Sequence, residues 1–152
     1  MRKETISFLI TVTVLLFLVI NTGAQTTWIH DYDQALKDAK KYNKPILINF
    51  TGSDWCSWCI RLKEEVFSKP AFKNYASNNL ILLELDFPRR KPQSPKIKKQ
   101  NNDLAKKYKI RGYPTIILIN HKGDVIARTG YRRGGPDKYI EHLKELISQK
   151  TN

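Results

Sequence analysis

Apolar residues fall along the chain in two rhythms. Near-continuous β-branched or leucine-rich runs at 45–51, 80–87 and 115–120 are expected to be buried strands. A fourth run at 124–130 follows the third across His121-Lys122-Gly123, so the pair reads as a β-hairpin. Residues 28–30 add a short opening strand. Between these runs, apolar positions recur at three- and four-residue spacing. Residues 31–42 form an amphipathic helix with Tyr32, Ala35, Leu36 and Ala39 on one stripe and Asp31 as N-cap. A second helix begins at the cysteines and carries Cys59, Leu62, Val66 and Phe67 inward. A third, 71–77, follows a Ser68-Lys69-Pro70 break, with proline suited to a first turn. A short helix at 103–108 and a long last helix at 137–149 complete the set. The last one buries Tyr139, Ile140, Leu143, Leu146 and Ile147. Two apolar strands joined by helix indicate a β-α-β unit with parallel pairing. The class is α/β.

Residues 88–102 break both rhythms. They are rich in proline and poor in apolar side chains, and read as an exposed basic loop inserted into the domain. From Arg89 to Arg111 there are ten Lys or Arg residues against one acid, Asp103.

Composition changes the picture at the N-terminus. Arg2 and Lys3 precede an apolar stretch, 6–20, and Thr22-Gly23-Ala24 supplies small residues for cleavage. Residues 1–24 are therefore read as a signal peptide, and 25–152 as one exported domain. The apolar stretch is shorter than the roughly 20 residues of a membrane span, so no stable span is expected after cleavage. The formal net charge is +13. Loss of Arg2, Lys3 and Glu4 leaves +12, which suits an acidic partner engaged through the basic loop, or plain solubility. Nucleic acid is not expected, because no recognition motif accompanies the charge.

The candidate chemistry lies in Trp55-Cys56-Ser57-Trp58-Cys59, which holds both cysteines of the chain. Such a pair is a redox switch, half a metal site or a staple. Zinc needs about four ligands, and His30, His121 and His142 show no ligand spacing. No metal is expected. A loop closed at i, i+3 constrains the unfolded chain little, so a staple is a weak reading. Redox chemistry fits best. Cys56 is expected where a strand hands over to a helix, and unsatisfied N–H groups there favour a thiolate. Cys56 is then the attacking sulfur. Cys59, one turn on and within disulfide reach, resolves the mixed disulfide. Trp55 and Trp58 can wall a docked substrate chain, although Trp58 reads equally well as core packing.

Two motifs in order carry a family likeness. Asn49-Phe50 leads into the Cys56–Cys59 motif, and Tyr108-Lys109-Ile110-Arg111-Gly112-Tyr113-Pro114-Thr115 follows at a sensible separation. The chain resembles the thioredoxin-like family over roughly residues 27–148. Within that family it is similar to exported thiol-disulfide oxidoreductases such as the C-terminal domain of thiol-disulfide interchange protein DsbD. The resemblance implies a three-layer sandwich, a central mixed sheet flanked by helices. It implies a redox-active Cys56–Cys59 disulfide without cofactor, and a cis bond at Tyr113–Pro114. Substrate would bind at Trp55, Tyr113 and Pro114, with Asn49, Ser57 and Trp58 in support. It further implies disulfide-bearing protein or peptide substrates, a redox recycling partner and a periplasmic location. One departure stands out. Many family members carry a buried aspartate where this chain has Asn49, and an amide cannot act as a base. Proton handling at Cys59 then passes to water, Glu84 or Asp54.

The expected function is that of an exported disulfide reductase or isomerase. Two readings of other classes stand beside it. One is a non-catalytic thioredoxin-like binding module with the pair permanently oxidised. The other is a basic adaptor for an acidic envelope polymer.

Overall fold

The computed structural model describes residues 27–149; the segment read as a signal peptide lies outside them. A four-stranded sheet forms the middle layer, its strands lying side by side in the order 81–86, 46–51, 115–119 and 125–129. β1 (Ile46–Thr51) pairs in parallel with β2 (Ile81–Asp86), from Ile46 opposite Ile81 to Thr51 opposite Asp86. β3 (Thr115–Ile119) runs antiparallel to β1, and β4 (Val125–Thr129) antiparallel to β3. The opening strand expected at 28–30 is reduced to one parallel bridge between Ile29 and Leu83.

β1 is buried at all six positions, which explains why it is apolar but for Asn49 and Thr51: both of its faces are covered. The strand period of two then sorts its side chains. Ile46, Ile48 and Phe50 join Leu83, Leu85, Ile117 and Ile119 against α1 (Tyr32–Tyr42) and α4 (Pro95–Lys107). Leu47 points the other way. With Leu82, Ile116 and Leu118 it packs on the helical stretch after the cysteines, on α3 (Pro70–Asn79) and on α5 (Gly135–Ser148). Fully burying one such Leu, Ile or Phe contributes about 1.5–3 kcal/mol of transfer free energy. Asn49 shares the face of Leu47 and Thr51 and stands directly opposite Glu84 of β2. That face runs toward the cysteines.

The helix after the cysteines comes in two parts. α2 (Ser57–Leu62) is α-helical and Lys63–Phe67 widens into a π-helical turn, which still delivers Val66 and Phe67 to the core. Asp31 caps α1, its carboxylate accepting from Gln34 N–H at 3.0 Å, and Asn43 ends it in the left-handed region. α3 and α5 extend slightly beyond the expected 71–77 and begin slightly before 137, with Pro70 in a first turn.

The basic stretch corrects the sequence reading. Residues 88–102 are not one loop, and 103–108 is not a separate helix. α4 begins at Pro95, with Ser94 capping it by accepting from Ile97 N–H at 3.3 Å. Its inner face mixes Ile97, Leu104 and Ala105 with Gln100 and Asn101, so the apolar period is diluted. Asn101 is buried and its amide donates to the Asp86 carbonyl at 2.8 Å; Gln100 bonds the backbone of His30 and Tyr32. Polar docking of this kind leaves little hydrophobic signal. The true loop is the shorter stretch between Asp86 and Ser94.

Candidate active site

The cysteines lie where the burial pattern of β1 runs out. Gly52 must be glycine, because a Cβ there would lie 2.5 Å from the Trp55 indole. The indole can therefore fold back over the turn, and its Nε1–H donates to the Phe87 carbonyl at 2.8 Å. Cys56 takes the N-cap position of α2 in an extended conformation. Its Sγ accepts the Cys59 N–H at 3.2 Å, and its carbonyl accepts from Cys59 and Ile60. Cys56 and Cys59 are disulfide-bonded with Cα atoms 5.2 Å apart. They are 7% and 5% exposed, so the pair sits at the rim of the core.

Around the disulfide, the Tyr113–Pro114 bond is cis, and the Tyr113 ring meets Trp55 edge-on at 5.8 Å and Phe87 at 5.2 Å. Trp58 is 45% exposed. It lies 5.1 Å from the Tyr131 ring, with the Arg61 guanidinium 5.0 Å from its centroid. It forms an aromatic platform beside the motif and is not core packing. Ser57 is exposed on the same helix start. The structure thus gathers Trp55, Cys56, Ser57, Trp58, Cys59, Tyr113 and Pro114 at one end of the sheet.

Behind Cys59 is a cavity of about 120 Å³, lined among others by Trp28, Asn49, Thr51, Lys63 and Glu84. Asn49 is 5% exposed. Its Oδ1 is the buried side-chain polar atom without a hydrogen-bond partner among the described residues. Burial pushes the Glu84 carboxyl up from its ordinary value, and the nearby Asp86 charge adds to this. His30, Lys63 and Lys91 oppose the shift.

Asp54 does something else. It does not cap α2, since Cys56 fills that role. Its carboxylate accepts the N–H groups of Arg89, Arg90 and Lys91 at 3.0, 2.7 and 3.2 Å. These bonds, that from Arg89 foremost, hold it below the usual carboxylate range. Ser53 bonds the Asp86 carboxylate through its N–H at 2.9 Å and its hydroxyl at 2.6 Å. The turn before the cysteines is therefore laced to the segment after β2. Sequence reading missed this lacing. The parallel pairing that brings Thr51 beside Asp86 was the available signal. Among the described residues, no group of three His, Cys, Asp or Glu side chains is placed to hold a metal ion.

This geometry meets known proteins at a well-populated place. The thioredoxin-like domain family matches residues 32–147. The chain belongs to that family. It is 35% identical over 125 residues to the disulfide bond reductase DsbH of Chlamydia pneumoniae, covering 82% of this chain and 75% of the relative. A solved DsbH oxidoreductase superposes with a TM-score of 0.78 at 34% identity, covering 84% of this chain and 88% of that one. The thioredoxin-related protein DsbJ of Chlamydia pneumoniae is 34% identical over 103 residues, which cover 68% of this chain but 30% of DsbJ. Thiol:disulfide interchange protein DsbD of Pectobacterium atrosepticum is 30% identical over 121 residues, 78% of this chain and 18% of DsbD. Family, three-layer α/β fold and a Cys56–Cys59 disulfide together make this chain a thiol-disulfide oxidoreductase homologous to DsbH.

Proposed function

We propose that this protein is an exported, periplasmic disulfide reductase acting on protein or peptide disulfides. The observation that carries the reading is Cys56 at the N-cap of α2, its sulfur held by the Cys59 N–H beside the Trp55–Tyr113–Pro114 wall. A hydrogen bond from that N–H and the orphan donors of the first turn favour a thiolate at Cys56 once the pair is reduced. The thiolate attacks one sulfur of a substrate disulfide, and the other substrate sulfur leaves as a thiolate. Cys59 gives up its proton and attacks Cys56 Sγ, closing the protein disulfide and releasing the second substrate sulfur. The substrate gains two electrons and the pair loses two. An external dithiol protein must then reduce the pair. The reductase direction is supported by the similarity to the disulfide bond reductase DsbH, and export by the signal-like residues 1–24.

Glu84 is the carboxylate assigned to take the Cys59 proton, through the cavity both residues line. Asp54 is unsuited, being saturated by backbone donors.

The test is insulin reduction with dithiothreitol as the external dithiol. Wild-type protein should accelerate it strongly, Cys56→Ser should abolish the acceleration, and Cys59→Ala should accumulate Cys56-linked mixed disulfides with protein clients. The pair's potential should lie nearer thioredoxin's roughly −270 mV than DsbA's roughly −120 mV. Wild-type protein no faster than dithiothreitol alone would instead support the non-catalytic module.

A further inference from the structure

We propose that Arg89, Arg90 and Lys91 form a fixed cationic ridge at the lip of the disulfide, selecting substrates whose chain carries Asp or Glu close to the bridged cysteine. This rests on the thiol-disulfide exchange assigned to Cys56. The ridge is anchored two residues before that cysteine, because the Asp54 carboxylate receives its three backbone N–H groups. A clasp made through backbone leaves the side-chain charges uncommitted. All three residues are exposed, and among the described residues no carboxylate pairs with the Arg89 or Arg90 guanidinium. The Arg89 guanidinium lies 3.8 Å from the Trp55 ring centroid, so one cation sits on the residue adjacent to Cys56. Lys91 reaches the Ser53 hydroxyl at 3.5 Å. Pro88 and Pro92 bracket the ridge and restrict its backbone.

A hollow of about 340 Å³ opens beside it, lined by Arg89, Lys91 and Lys98 together with Pro88, Pro92 and Gln93. A carboxylate side chain entering there would face cations from two directions. Two other lysines of the region are engaged: Lys96 pairs with Asp31 at 3.6 Å and Lys99 with Asp103 at 2.6 Å. An extended acidic polypeptide docked on the Trp55 wall fits this arrangement. Charge of one sign at a site mouth also raises encounter rates.

The experiment compares kcat/KM on two cystine-bridged peptides that differ only in flanking residues, Asp and Glu in one, Asn and Gln in the other. Exposed pairs each change such a ratio by about five-fold at most. The wild type should favour the acidic peptide about five- to ten-fold at low salt and approach parity near 1 M, where the Debye length is about 3 Å. The double variant Arg90→Glu/Lys91→Glu should invert the preference. Lys37→Glu/Lys40→Glu, the same charge change on α1, should keep it. Asp54→Asn removes a negative charge yet turns one accepting oxygen of the clasp into a donor and loosens it, so a placed ridge predicts a weakened preference, whereas net charge alone predicts no loss. Circular dichroism checks that each variant folds. Equal reduction of both peptides by the wild type, or an unchanged preference in the Arg90/Lys91 variant, overturns the proposal. Reduction of neither peptide overturns the exchange reading itself, and the ridge with it.

Discussion

Replacing Glu84 by glutamine keeps its shape and removes its capacity to accept a proton. The step it should slow is attack by Cys59, because Cys59, Asn49 and Glu84 line one cavity of about 120 Å³, roomy enough for a few waters. Burial raises the Glu84 carboxyl, which brings it closer to a working pH near 7 and makes it a better base than an ordinary carboxylate. A positioned base contributes about 100- to 10,000-fold. A relay through water sits at or below the lower end, so about a 10- to 100-fold slowing is expected. The assay loads Cys56 with thionitrobenzoate as a mixed disulfide and follows single-turnover release of the chromophore. The variant should lag around neutral pH and converge with wild type above about pH 8.5, where a free thiol ionises by itself, and again in acid, where Glu84 is itself protonated. Coincident profiles over the whole range would refute the assignment. Stability supplies a second readout. A carboxyl raised in the folded state stabilises below its unfolded value, here 4.5, and loses that contribution as pH rises through the folded value. Glu84→Gln should therefore be more stable to urea than wild type at pH 7, and the gap should close near pH 4.

Two further outcomes follow from the fold. Ser94→Ala removes the cap of α4 and should lower unfolding free energy by about 1 kcal/mol, read from urea titration; no change would mean that the polar face docks the helix without its cap. His142 bonds the Thr129 hydroxyl at 2.9 Å and packs on Tyr139. Burial, then the Arg132 charge, lowers its pKa, with Glu145 opposing. A base lowered in the folded state stabilises above its unfolded value and loses that as pH falls, so wild type should lose stability below about pH 6.5 relative to His142→Gln. Parallel urea midpoints from pH 7.5 to 5 would contradict this.

The sequence by itself determined the elements whose signal is local. β1, β2 and β3 announce themselves because strands covered on both faces are apolar at most positions rather than at alternate ones. The Asp31 cap and the stripes of α1 and α5 are equally local, since side chains three and four apart share a helix face. The Cys56-x-x-Cys59 spacing and its place between strand and helix are likewise written in consecutive residues. Tertiary structure decided what depends on partners distant in the chain. α4 starts at Pro95 because Gln100 and Asn101 find backbone partners on His30, Tyr32 and Asp86, and a polar docking face has no hydrophobic period to read. Trp58 proved an exposed platform because Tyr131, more than seventy residues on, meets it from the side. Asp54 became a clasp, and Glu84 a cavity carboxyl, only once parallel pairing set β2 beside β1. Charge and hydrogen-bond geometry act through space over a few ångströms, and the chain order of those groups carries no record of that distance.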